Sequence, residues 1–451
     1  MLFHIVVLVN FVAFTTGDES SDLITSLPDV TFPLNFKQYS GYLDGSLDGN
    51  IQMHYWFLES QSNPATDPLI IWLSGGPGCS SIDSLLQETG PFIVRNDGVS
   101  FRENDFAWNK IANIFYLTSP VCVGYSYYKN GGSCATNDTA VAEMNYQAVL
   151  SFFVKFPQYA ANDFFVIGES YAGIYVPTLA LKIAEGGLLN LKGFATGNGL
   201  LSNKLNTNSV MYYSYYHSIM SPSVWENLQK YCCNTVNCMF TDTDTSECQK
   251  AITAAMTFPS NLMRYDIYQP CSHATGAKKD NTTTTKYELA LKNLYSIVKM
   301  DHSQLKSGVN PPCAYVDNAN VYMNQQSVRT AIHIPDSLGE WSVCTNIDYT
   351  QIYSDMSEVF KQLHSYGIVG LVYNGDVDTM CNVLGAEWFV DNLNYTLEED
   401  WKTWSNNRQI GGWRRKFDKL HFYTVRGAGH MVPEYKPSAA FYMLSDWLSQ
   451  F

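Results

Sequence analysis

The sequence predicts a mostly parallel β-sheet with helices on both faces. Three features carry that expectation. Apolar runs such as Leu69-Ile70-Ile71-Trp72-Leu73 and Phe164-Phe165-Val166-Ile167 lack polar alternation, which fits strands buried on both faces. Such runs alternate with segments whose apolar residues recur at helical spacing. Several of the runs end in glycine-rich turns, where a strand gives way to accessible backbone.

Composition narrows the class. The 451 residues are 46% hydrophobic, enough for a large core, while 16% are charged and 14% aromatic. The formal net charge of -14 disfavours nucleic acid and anionic membranes as partners and is compatible with an acidic compartment. Residues 1–17 read as a signal peptide: the apolar run from Leu2 to Phe14 is short for a membrane anchor, and Thr15-Thr16-Gly17 offers small residues for cleavage. No membrane anchor is expected in the remainder. Sequons at Asn137, Asn281 and Asn394 agree with passage through the secretory pathway. Eleven cysteines point to an oxidising compartment and at least one unpaired thiol. Cys232, Cys233, Cys238 and Cys248 cluster, but no histidine stands among them, so no metal site is expected.

Along the chain, residues 51–58 place Ile51, Met53, Tyr55 and Phe57 on one face, as a half-buried strand would. The run Leu69 to Leu73 is a central strand that ends in Ser74-Gly75-Gly76-Pro77-Gly78-Cys79-Ser80-Ser81. Glycine N–H groups can approach a substrate oxygen closely, so this turn is a candidate oxyanion loop. Ile114-Phe115-Tyr116-Leu117 is a further strand. Residues 138–156 carry Val141, Met144, Ala148 and Phe152 at helical spacing, with Pro157 just beyond. A strand from Phe164, a helix through Glu185 and a strand from Leu191 to Thr196 follow. After Asn198-Gly199 the rhythm changes. Residues 200–314 hold the cysteine cluster, Tyr212, Tyr213, Tyr215 and Tyr216, and polar runs. They read as an insertion that caps the sheet and is stapled by disulfides because it lacks a core of its own. The sheet-forming parts are then 18–199 and 315–451. In the second part come a helix at 325–333, a strand at 368–373 ending in Asn374-Gly375-Asp376-Val377-Asp378, and a helix at 384–393. A strand at 420–425 ending in Arg426-Gly427-Ala428-Gly429-His430 and a helix at 437–448 complete the chain.

The chemistry centres on Gly168-Glu169-Ser170-Tyr171-Ala172-Gly173. A serine on so sharp a strand-to-helix turn is held above the sheet, as in the nucleophile elbow of an α/β-hydrolase fold. Ala172 stands where the usual motif has its last glycine, with Gly173 one later. A serine hydroxyl needs a base, and the base needs an orienting acid. Hydrolases of this fold supply them in the order Ser, Asp or Glu, His, each after a strand. Here Ser170, then Asp376 or Asp378, then His430 keep that order, and the pattern alone leaves the two aspartates open. Among the histidines only His430 follows a late strand on a glycine-rich loop; His421 lies inside the strand as a packed or edge residue.

Four stretches together resemble the serine carboxypeptidases, and most of all a lysosomal member: Trp72 to Ser81, Gly168 to Gly173, Asn374 to Asp378, and Gly427-Ala428-Gly429-His430-Met431-Val432-Pro433. The likeness runs from about Phe36 to the C-terminus and includes Cys232-Cys233 and Cys381. It implies an α/β-hydrolase fold and removal of C-terminal residues from peptides at acidic pH through an acyl-enzyme, with no cofactor. It selects Asp378 and implies the N–H groups of Gly76 and Tyr171 as the oxyanion hole. It implies Ser74, Glu88 and Glu169 as the groups that bind the substrate carboxylate, although the family has asparagine where this chain has Ser74. Crowded carboxyls cannot both ionise easily, so a protonated glutamate would donate to that carboxylate. The resemblance also implies disulfides Cys79–Cys344, Cys232–Cys248, Cys233–Cys238 and Cys271–Cys313. Cys122 and Cys134 are left over and are proposed to pair, which leaves Cys381 as the free thiol. Excision of part of the cap, at about 278–306, is compatible with the lysines and threonines there. The partners implied are peptides with a free C-terminus, a homodimer, and a complex with lysosomal glycosidases. An acyltransferase of the same fold, or a stabilising partner of those glycosidases, are the alternative functions.

Overall fold

The computed structural model describes residues 19–233, 238–259, 261–271, 305–306 and 317–451. The expected signal peptide, the Asn281 sequon, Cys313 with its pairing to Cys271, and nearly all of 278–306 lie outside the described residues.

The main path of the sheet comprises β1 (Gln38–Asp44), β2 (Ile51–Leu58), β3 (Leu69–Leu73), β4 (Asn113–Leu117), β5 (Phe164–Glu169), β6 (Leu191–Gly197), β7 (Val369–Gly375), β8 (Leu397–Asn406), β9 (Gln409–Phe417) and β10 (Leu420–Val425). In space they run β1-β2-β4-β3-β5-β6-β7-β10-β9-β8, and the short strand Tyr127–Tyr128 joins β2 off this path. From β4 to β10 all neighbours are parallel, whereas both flanks are antiparallel. Strand β5 thus sits centrally, between β3 and β6.

The absence of polar alternation in the central strands has its expected cause. Leu69, Ile71 and Leu73 of β3 enter the core on one face of the sheet, while Ile70 and Trp72 enter the core on the other. Phe164 and Val166 of β5 divide from Phe165 and Ile167 in the same way. The first face is covered by helices Asp138–Lys155, Ala172–Gly186, Ser357–Ser365 and Val383–Asn392, the second by helices that include Asp317–Met323 and Pro437–Leu448. Helix Asp138–Lys155 begins where Asn137 Oδ1 accepts from the Ala140 N–H at 3.0 Å, and buries Val141, Ala148, Val149 and Phe152 along one stripe.

Three expectations change. Strand β2 is buried on both faces, not one: Met53, Tyr55 and Phe57 meet the first core, Trp56 and Leu58 the second. The insertion does have a core. Helices Asn203–Tyr216, Pro222–Cys232 and Ser246–Ala255 enclose Met211, Leu228, Phe240, Ile252 and Phe258, with Cys232 and Cys248 among them. Its cysteines read as staples in place of packing; in the fold they are part of the packing. The long hairpin β8–β9 has no counterpart in the sequence pattern. Its first strand is mostly exposed and charged, and its turn uses Asn407 and Arg408 at φ 49° and 63° instead of a glycine.

Phe152 anchors the first face. Its ring stacks on Phe115 at 4.1 Å and meets Phe57 and Phe156 at 5.2 and 4.8 Å, with no exposure. Phe152→Ala is expected to lower unfolding stability by about 3–5 kcal/mol, measured by denaturant titration.

Candidate active site

The turn after β5 is forced by close backbone contact. Ser170 has φ 64°, in the left-handed region, its N–H donates to the Gly197 carbonyl at 3.0 Å, and its carbonyl accepts from Leu200 at 2.9 Å. The elbow is thus clamped against the end of β6. A Cβ on Gly168 would stand 2.2 Å from the Leu73 carbonyl oxygen, and one on Gly173 would stand 2.6 Å from the Leu200 nitrogen. Glycine at 168 and 173 therefore does the work of the two motif glycines, and Ala172 packs fully buried between them.

Asp378 and His430 leave the ends of β7 and β10 and meet there. His430 Nδ1 lies 2.8 Å from Asp378 Oδ2, and both side chains are buried. An ionised carboxylate only accepts, so Nδ1 carries the proton. That leaves Nε2 as the basic nitrogen; it is buried, without a partner among the described residues, in the cleft that His430 lines with Ser170. The two candidate aspartates separate clearly. Asp376 spends its carboxylate on the Gly427 N–H at 2.6 Å, shaping the histidine loop. Asp378 takes, besides His430, the Met380 N–H at 2.7 Å, the Cys381 N–H at 3.0 Å and Asn198 Nδ2 at 2.9 Å. Asn198 also accepts from the Gly375 N–H at 2.9 Å through its own oxygen. The sequence showed Asn198 only as a turn residue. Its two-sided role arises from pairing β6 with β7, which no local signal reports.

The cap reaches into this site. Tyr265 packs edge-on against the His430 ring at 4.5 Å, and its carbonyl accepts from the His430 N–H at 2.7 Å. The carbonyl of Arg264 takes both the N–H and the hydroxyl of Thr379, next to Asp378. Neither residue stood out in the sequence.

Gly76, with φ 113°, lines the same cleft as Ser170, on the loop after β3. A Cβ on Gly75 would be 2.3 Å from the Tyr171 nitrogen, so this loop and the elbow are in close contact. Glu88 and Glu169 line the same cleft and are 4% and 6% exposed. Their carboxyls hydrogen-bond one another, and one oxygen of each is without a partner among the described residues. Burial, with the neighbouring carboxyls, pushes Glu88 up to about 8 and holds Glu169 well above the usual carboxylate range. Ser74 reaches this pair indirectly. The Trp72 indole N–H donates to Ser74 Oγ at 3.3 Å, Ser74 Oγ lies 2.9 Å from Ser84 Oγ, and Ser84 bonds Glu88. Asp83 and Glu434 add further carboxyls to the wall of the cleft, and its volume is about 840 Å³. Neither stood out in the sequence, although Glu434 directly follows the Met431-Val432-Pro433 motif.

The cysteine pairs bonded among the described residues include Cys79–Cys344, Cys122–Cys134, Cys232–Cys248 and Cys233–Cys238, and Cys381 is a buried free thiol. Asn394 is exposed, whereas Asn137 is half-buried at its helix cap. His421 is 5% exposed inside β10 and takes no part in the site. No helix among the described residues is long and apolar enough to cross a membrane.

The serine carboxypeptidase family model matches residues 28–450. The lysosomal protective protein of Mus musculus is 39% identical, over 99% of this chain and 97% of that protein. A serine carboxypeptidase of Caenorhabditis elegans is 36% identical, over 98% of this chain and 96% of that protein. The crystal structure of a prohormone-processing carboxypeptidase from Saccharomyces cerevisiae superposes with a TM-score of 0.75 at 20% identity, covering 96% of each chain.

Removing the Asn198 amide takes one donor from Asp378 and leaves the Gly375 N–H unpaired. Asn198→Ala is expected to cost about 1–3 kcal/mol of stability and to lower kcat by about tenfold as the orienting carboxylate loosens, read from thermal unfolding and steady-state kinetics.

Proposed function

The chain belongs to the serine carboxypeptidase family, and on that premise we propose that Ser170, His430 and Asp378 act as nucleophile, base and orienter in its hydrolysis of C-terminal peptide bonds. The enzyme is a serine-type carboxypeptidase, and its substrates are peptides. Ser170 Oγ attacks the carbonyl carbon of the last peptide bond while His430 Nε2 takes the hydroxyl proton. The Asp378 carboxylate holds the Nδ1–H and balances the imidazolium that forms. The tetrahedral oxyanion is met by the N–H groups of Gly76 and Tyr171, a type of contact worth about 3–4 kcal/mol per donor. The C–N bond then breaks, His430 passes its proton to the leaving amine, and the C-terminal amino acid departs. Water adds to the acyl-enzyme with His430 again as base, releasing the shortened peptide and restoring Ser170.

The observation that carries the exopeptidase reading is the Glu88–Glu169 pair beside Ser170. Two adjoining carboxylates would repel a peptide carboxylate, whereas a protonated pair can donate to it. Burial keeps them in the protonated form far above the usual range. In this reading the chain Trp72–Ser74–Ser84 supplies hydrogen bonds to Glu88, so Ser74 acts behind the clamp and the carboxyl pair meets the substrate itself. The relatives and the paired cysteines support residence in the secretory pathway, lysosomal or extracellular. A further role as a stabilising partner of lysosomal glycosidases is a proposal that rests on likeness to the mouse lysosomal protective protein.

The test compares an N-acyl dipeptide with its C-terminal amide across pH. KM for the free acid is expected to rise as pH climbs through about 8, where Glu88 loses its proton, while KM for the amide changes little. Glu88→Gln, which keeps a donor but cannot ionise, is expected to flatten that rise. Ser170→Ala is expected to abolish turnover of both. Equal pH dependence for acid and amide would overturn the clamp. The same titration bears on stability. Both carboxyls sit above their unfolded-state range, so their contribution is complete in acid and is lost as pH rises, for Glu88 through about 8.

A further inference from the structure

Asp138 is a buried carboxylate that the hydrolytic reaction does not use. It opens helix Asp138–Lys155, is 0% exposed, and is surrounded by donors. Its Oδ1 accepts the Tyr171 hydroxyl at 2.8 Å and the Tyr349 hydroxyl at 2.7 Å. Its Oδ2 accepts the Ile352 N–H at 2.6 Å and the Tyr353 N–H at 2.9 Å. A buried charge without such donors would cost several kcal/mol, on the order of the penalty for an unpaired ion. Here the donors come with a helix N-terminus, which also favours an anion.

What those donors belong to gives the arrangement its meaning. Tyr171 is the residue after the nucleophile, and its hydroxyl end is fixed by Asp138 while its backbone faces the loop of Gly75. Ile352 and Tyr353 end a strap, residues 343–353, whose other end is fastened to the loop of Gly76. There Ser80 N–H donates to the Val343 carbonyl at 2.8 Å, Thr345 N–H donates to the Gly78 carbonyl at 2.8 Å, and Cys79 is bonded to Cys344. One strap therefore joins the two backbone segments that carry the N–H groups of Gly76 and Tyr171. Its pin at the Tyr171 end is Asp138. Tyr349, midway along the strap, packs edge-on against Tyr171 at 5.4 Å.

We propose that Asp138 is a positioning residue for the oxyanion hole, which holds the Tyr171 N–H in register with the Gly76 N–H through the Tyr171 hydroxyl and the strap 343–353. The proposal rests on the assignment of those two N–H groups made above. It concerns geometry at the transition state. The substrate carboxylate is bound by other groups, so kcat carries the effect and KM does not.

Tyr171→Phe removes the tether while leaving the backbone N–H in place. Asp138→Asn removes the charge and keeps the Asn-x-Thr sequon at Asn137 intact, so glycosylation does not confound it. Each variant would be assayed on an N-acyl dipeptide, and for affinity towards a peptide aldehyde, which adds to Ser170 and forms an oxyanion, and towards the free-acid product, which does not. The expected result is kcat lower by about tenfold or more, aldehyde affinity lower by the same factor, and KM and product affinity within about twofold of wild type. Should Asp138→Asn not fold, Tyr171→Phe decides alone. Tyr175→Phe, which deletes a hydroxyl from the neighbouring ring, is expected to leave kcat unchanged. Wild-type kcat in a folded Tyr171→Phe protein would overturn the proposal. So would an equal loss of aldehyde and product affinity, which marks general damage to the site. A wild-type enzyme that binds aldehyde no better than product would overturn the oxyanion assignment itself, and the role of Asp138 with it.

Discussion

The site depends on one buried charge, the carboxylate of Asp378. A carboxylate with no exposure is costly unless each oxygen is met by donors. Asp378 meets that condition with His430, with Asn198 from the end of β6, and with the N–H groups of Met380 and Cys381 on its own loop. Satisfying the charge thus brings the ends of β6, β7 and β10 together. Imidazole tautomer, loop conformation and strand register are consequences of the same set of hydrogen bonds.

Around it the molecule holds carboxyl groups in two opposite environments. Asp378 and Asp138 sit among donors, each with four. Glu88 and Glu169 sit against one another, with an oxygen of each lacking a donor among the described residues, and burial holds both above the usual carboxylate range. The first environment suits carboxylates that orient other groups. The second suits the acids proposed above to meet an anionic substrate. Burial is common to all four, and the count of donors separates the two environments.

The insertion matters more to the chemistry than a lid over a finished site would. Tyr265 packs on His430, and the Arg264 carbonyl takes two hydrogen bonds from Thr379 beside Asp378. Its helices enclose their own apolar cluster, with two disulfides inside it. A segment with a core can hold a loop against the histidine with some rigidity. An unpacked staple could not.

Local patterns were enough to place strands β3 to β7 and β10, the elbow at Ser170 and the sequence of serine, aspartate and histidine, because each is written in adjacent residues. Glycine 168 and the apolar run before it state the turn by themselves. The choice of Asp378 over Asp376 needed family resemblance, and the fold supplies its physical ground: only one of the two faces His430, while the other caps Gly427. Asn198, Tyr265 and Asp138 left no local mark, since their partners lie far along the chain. The two-faced burial of β2 and the hairpin β8–β9 were hidden for related reasons, one set by what packs from both sides and the other by pairing with β10. Chain-local chemistry announces which groups can react. Which group faces which, and with how many donors, is decided only when distant segments meet.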